Sequence, residues 1–141
     1  MSRHVRIALN LWPFVFGALL ILGLARYEQA FNPVITSFSV TEIIRDADGL
    51  LIAGTMVKDR ACDFIGVTAK ADPNISLAIK FMDDDTPGTF SRPTGSQSWG
   101  PWKIFTPLAP KINTITLTAS HACHPFWVTR TEMVNIVING G

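Results

Sequence analysis

Residues 75–82 read ISLAIKFM. Ile75, Leu77, Ile79 and Phe81 fall on alternate positions, with Ser76, Ala78 and Lys80 between them. A period of two is that of a strand with one face buried, because successive side chains of an extended chain point to opposite faces. The same reading extends outward on both sides. Upstream, Asp72-Pro73-Asn74 is turn chemistry, and Cys62–Ala71 (CDFIGVTAKA) alternates through Cys62, Phe64, Ile65/Val67 and Ala69. Further upstream, Val34–Ile44 (VITSFSVTEII) and Leu50–Lys58 (LLIAGTMVK) flank Asp46-Ala47-Asp48-Gly49, the signature of a hairpin. Downstream, Ile112–Ser120 and Trp127–Ile138 repeat the pattern, and a seventh strand is predicted around Trp102–Thr106. No helical period of useful length follows residue 30. Strands without crossover helices pair antiparallel. Seven short strands within residues 34–141 predict an all-β, immunoglobulin-like or fibronectin-like sandwich, with a small β-barrel as the blander alternative.

Residues 7–25 (IALNLWPFVFGALLILGLA) are of another kind, a run of 19 without a charge. As a helix this run spans roughly 28 Å, close to the hydrocarbon thickness of a bilayer. Arg3 and Arg6 precede it, while Arg26 and Glu28 follow it and cancel. The positive-inside rule then predicts a cytoplasmic N-terminus at residues 1–6 and a signal-anchor helix at 7–25. A polar spacer at 26–33 and an extracytoplasmic domain at 34–141 would follow. Pro13 is expected near the helix start, and Trp12 at headgroup level. The rival is a cleaved signal peptide, for which Gly23-Leu24-Ala25 has the small-x-small spacing, although the apolar run is long for one. Both readings predict the domain across the membrane, and the third reading is a buried helix of a soluble protein. The chain closes on Asn139-Gly140-Gly141 directly after a strand, and no large C-terminal domain is expected.

Hydrophobic residues make up 48% of the chain, a share inflated by that one segment, so a polytopic membrane protein is excluded. With 12 basic and 11 acidic residues, no broad nucleic-acid surface is expected.

The two cysteines, Cys62 and Cys123, form an even count in an exported domain, which predicts a disulfide. The alternative is a metal-binding or redox site. Cys62, His121, Cys123 and His124 offer two thiolates and two imidazoles, a set suited to zinc or copper. In an oxidising compartment the thiols would pair first, so no cofactor is expected.

Between Asp83 and Pro110 the alternation stops, in a stretch rich in proline that holds Trp99 and Trp102. A loop of that length inside a compact domain is often functional. An exposed Trp99/Trp102 platform rimmed by Arg92 and Lys103 would bind a protein partner. The competing reading is that the indoles close an end of the core. Asp83-Asp84-Asp85 could collect calcium, but lacks the spaced carboxylates of a calcium loop. Asp46-x-Asp48-Gly49 shares that ambiguity, and a hairpin turn accounts for it. Gly95-Ser96-Gln97-Ser98-Trp99-Gly100 lacks the glycine spacing of a nucleophile elbow. Asn74-Ile75-Ser76 is a glycosylation sequon, relevant only in a eukaryotic cell.

Two motifs carry a resemblance: R-P-x-G-x-Q-x-W-G-P-W from Arg92 to Trp102, and H-x-C-H-P-x-W-x-T from His121 to Thr129. Over residues 58–130 the chain resembles small uncharacterised proteins of bacterial viruses and prophages, with a leading hydrophobic segment and a cysteine early in the domain. The resemblance implies a bacterial inner membrane with the domain in the periplasm, and identifies no catalytic residue. The function expected is that of a non-enzymatic, membrane-anchored accessory or phage-encoded envelope factor that binds another protein. A structural subunit of a virion membrane or secretion assembly is the third reading.

Overall fold

The structure is a computed structural model and describes residues 3–72, 74–82, 92–106 and 114–137. The chain divides into two compact units, a helical segment ending at Asn32 and a β-domain beginning at Pro33.

Helix α1 runs from Arg3 to Phe31. Its Leu11–Phe31 portion is long and apolar enough to cross a membrane. Leu11, Trp12, Phe16, Leu20, Ile21 and Leu24, spread around its axis, are all exposed. Two expectations need adjustment. Pro13 lies inside the helix rather than at its start. Residues 26–31, expected as a spacer, continue the helix. Tyr27 and Phe31, four apart on one face, bring their rings to 4.9 Å and support the last turn. The amide of Asn32 donates to the Glu28 carbonyl at 2.9 Å. Pro33 then ends the run, since a proline disfavours helical geometry in the residue before it.

The β-domain has seven antiparallel strands: β1 (Ile35–Asp46), β2 (Gly49–Lys58), β3 (Asp63–Ala71), β4 (Ile75–Phe81), β5 (Gly95–Phe105), β6 (Thr114–Ala122) and β7 (Thr129–Val137). They form one sheet in the order β1-β2-β5-β4-β3-β6-β7. This corrects the expected sandwich. Two stacked sheets share no ladder, whereas here β4 pairs on both sides. Its first residues pair with β3, Ile75 opposite Ala71 and Leu77 opposite Ala69. Its last residues pair with β5, Ala78 opposite Phe105 and Phe81 opposite Trp102. The sheet therefore curls through β4 until β1 and β7 approach each other, a nearly closed, barrel-like form.

The core follows the alternation. Leu50, Ile52, Met56 and Lys58 of β2 point inward, as do Ile115, Leu117, Ala119 and His121 of β6. An aromatic series crosses the interior: Phe38 against Trp99, Trp99 against Trp102, Trp102 against Phe81, Phe81 against Phe64, and Phe64 against His121.

Strand β5 includes most of the seventh strand expected around Trp102–Thr106 but begins at Gly95, inside the stretch expected as a loop, and that earlier start is a second correction. Trp99 and Trp102 are three apart and would face opposite ways on a regular strand. Instead Trp102 sits opposite Ile52 and Trp99 opposite Gly54. Gly100 and Pro101 thus oppose Ala53 alone, a bulge that turns both indoles inward. The Gly100-Pro101 peptide is cis, and Gly100 has φ +85°. A Cβ on Gly100 would come within 2.7 Å of the Ile52 carbonyl oxygen. At Gly54 a Cβ would come within 2.8 Å of the Trp99 ring, so the indole lies over bare backbone.

Candidate functional site at the disulfide pole

The ladders bring several chain segments to one end of the barrel. Ile35 sits opposite Lys58, and Lys58 opposite Gly95. Asp63 sits opposite Ala122, and His121 opposite Thr129. A disulfide joins Cys62 to Cys123 with a Cα–Cα distance of 4.7 Å. It ties the β2–β3 connection to the start of the β6–β7 connection. Both sulfurs of the alternative metal set are thereby bonded to each other, so Cys62, His121, Cys123 and His124 form no four-ligand site in this structure.

Lys58 is 2% exposed at this pole. The inward phase of β2 places it there, and it is a residue the sequence reading passed over. Its Nζ donates to the Cys62 carbonyl at 2.9 Å and the Arg92 carbonyl at 2.8 Å. Burial lowers its pKa by disfavouring the charged form; the Asp63 carboxylate acts against this, and Arg92 adds to it. The ammonium thus clamps two connections to the end of β2.

His121 is 3% exposed. Burial, helped by the Lys58 charge, pushes its pKa down to about 4, so the ring is neutral at pH 7. Its Nδ1 and the Thr131 hydroxyl are buried without a hydrogen-bond partner among the described residues. Lys58, Arg92, His121, Phe64, Trp102 and Met133 line a cavity beneath the pole. That cavity offers about 20 Å³ to the centre of a water molecule, room for about one water and not for an organic substrate.

The four residues expected to form a partner surface are not brought together. Trp99 and Trp102 are 1% and 3% exposed, so these two indoles form no exposed platform. Trp99 Nε1 donates inward to the Thr55 carbonyl at 3.1 Å. Packing prevails because a small barrel fills its interior with its bulkiest side chains. Arg92 lies at the disulfide pole, where its guanidinium donates to the Ser98 carbonyl and, at 3.4 Å, to Gln97 Oε1. Lys103 lies near the other end of β5, where Nζ bridges Asp46 Oδ2 and Asp48 Oδ1, each at 2.7 Å. The hydrogen bonds that Lys103 donates to those two carboxylates raise its pKa, and the same contact lowers that of Asp46. Asp46 also accepts from the Ala47 amide at 2.8 Å, closing the β1–β2 turn. This pair is therefore a hairpin turn with a salt bridge. Ser96 and Ser98 are exposed within β5, not on a strand-to-helix elbow, while His121 points inward. Asn74 of the sequon is exposed in the β3–β4 turn, with φ +132°. Asp83-Asp84-Asp85 lie outside the described residues.

The chain matches no family model, no curated protein and no solved structure. Its own exposed surfaces therefore carry the functional reading, and two stand out. One is the connection following the disulfide, where Phe126 is 72% exposed and His124 stacks on Trp127 at 3.9 Å. The other is the far half of β1. Residues 41–48 are exposed throughout, including the neighbouring Ile43 and Ile44. Neighbours on a strand face opposite ways, so the β1 side of this hairpin carries exposed apolar groups on both faces, while its β2 partners Leu50 and Ile52 stay in the core.

Proposed function

We propose that the chain is a non-enzymatic, membrane-tethered β-domain that binds a protein partner through the open edge of β1. The observation that carries the reading is the exposed Thr41–Asp46 stretch. Among the described residues its strand ladder is with β2 alone, and it presents two isoleucines to solvent. An edge strand offers a row of backbone donors and acceptors to an incoming strand, and flanking apolar side chains add selectivity. Arg3 and Arg6 before α1 favour a cytoplasmic N-terminus, with the domain on the periplasmic or outer face. A disulfide suits that compartment. The role is that of an accessory envelope factor.

The test is photo-crosslinking in native membranes from Ile43 or Ile44, with the exposed Ile75 as control position. A discrete adduct from β1, absent at Ile75 and lost when the neighbouring isoleucine becomes lysine, is the expected result. Equal adducts from Ile75, or none from β1, would sink the assignment.

A further inference from the structure

The connection from Cys123 to Thr129 reads CHPFWVT and contains no Asp, Glu, Lys or Arg. Phe126 is 72% exposed, Val128 45%, and Ile65, at the bulge near the start of β3, 43%. A water-facing loop of this size normally carries charge, and the Phe126 ring leaves most of its surface to solvent. The loop is held in its form. Its base is tied to Cys62 by the disulfide. His124 lies flat on Trp127, with 8° between the rings. Ring contact between His124 and Phe126, with centroids 5.3 Å apart, completes the cluster.

This loop shares its pole with the start of β1. Val34 accepts from the Asp59 amide at 2.9 Å, and Ile35 pairs with Lys58, the residue whose ammonium holds Cys62. Upstream, only Asn32 and Pro33 separate Val34 from Phe31, the last residue of α1. Three residue steps of extended chain span roughly 11 Å at most. The covalent chain therefore starts β1 within that reach of Phe31.

We propose that the Cys123–Val128 loop docks the β-domain onto the lipid surface. Phe126 enters the boundary between headgroups and acyl chains, and Trp127 lies at headgroup level. The proposal rests on α1 being a membrane span. Aromatic side chains favour that depth because the ring is apolar while the indole N–H can still reach water or a headgroup. The lipid surface is chosen over a protein partner because the tether supplies it at high local concentration, whatever else is present.

The full-length chain in phosphatidylcholine vesicles tests this, with lipids brominated at the shallow end of the acyl chain quenching nearby indoles. In the Trp12→Phe variant the expected result is a loss of emission that disappears when Trp127→Phe is added and weakens with Phe126→Ser. Trp99 and Trp102 stay bright because they are buried. The Trp127→Phe variant, which keeps Trp12, reports the span separately. Quenching of Trp12 without quenching of Trp127 overturns the docking and leaves the span standing. Absence of Trp12 quenching, with the protein released by alkaline carbonate, overturns the span and the docking with it.

Discussion

His121 couples the fold to pH. The folded ring stays neutral to about pH 4, whereas an unfolded histidine protonates near 6.5. Between those values the unfolded chain binds the extra proton, so the contribution is complete above pH 6.5 and is lost as pH falls toward 4. The slope for one such group is about 1.4 kcal/mol per pH unit at most. Urea midpoints between pH 6.5 and 5 should fall more steeply for the wild type than for His121→Leu; parallel lines would remove His121 as the cause. A second residue-scale outcome concerns Gly100, whose positive φ and closeness to Ile52 leave no place for a Cβ. Gly100→Ala should cost about 1–3 kcal/mol in urea unfolding, with an unchanged m-value. Lys58 and His121 were both legible in principle, since the period of two places them on the inward face of β2 and β6. The orphaned Nδ1 was not legible, because it depends on which side chains face it across the barrel.

At the scale of elements, β5 separates what composition reveals from what pairing decides. Glycine, serine and proline gave Asp83–Pro110 the look of a loop, yet Gly95–Phe105 is held by ladders to β2 and β4. Neighbouring strands override weak local preference. The orientation of Trp99 and Trp102 was hidden for a related reason: the bulge adds one residue between them, and no periodicity announces it. The other six strands were legible because hydrophobic alternation and turn residues agree there. Trp102→Ala should cost about 3–5 kcal/mol, as large-to-small core substitutions do. Trp127→Ala, on a half-exposed connection, should cost far less. Equal losses would mean that the two indoles are not divided between core and surface. The disulfide joins positions 61 apart in sequence. On the chain-entropy account its removal by Cys62→Ser with Cys123→Ser costs roughly 4 kcal/mol. A differential melt of the double variant against the wild type measures that cost, and a difference near zero would assign the bond no stabilising role.

For the whole molecule, the charges around α1 and the state of the cysteines are coupled. Arg3 and Arg6 lie on one side of the apolar stretch, and the β-domain with both cysteines lies on the other. If the arginines hold the N-terminus in the cytoplasm, Cys62 and Cys123 meet an oxidising compartment and close. The wild type, alkylated in native membranes and read by intact mass, should then show no free thiol before reduction and two after it. The same mass states whether residues 1–25 remain attached. Reversing the charge bias, with Arg3→Glu and Arg6→Glu and added lysines after Glu28, should invert insertion of the same helix. The β-domain would then face the cytoplasm, and both thiols should alkylate without reductant. This pair of measurements separates topology from folding, because the sequence of the domain is untouched. A bridge that still forms in the charge-reversed protein would show that the arginines do not set the side. Free thiols in the wild type would place the domain in a reducing compartment and withdraw the periplasmic assignment.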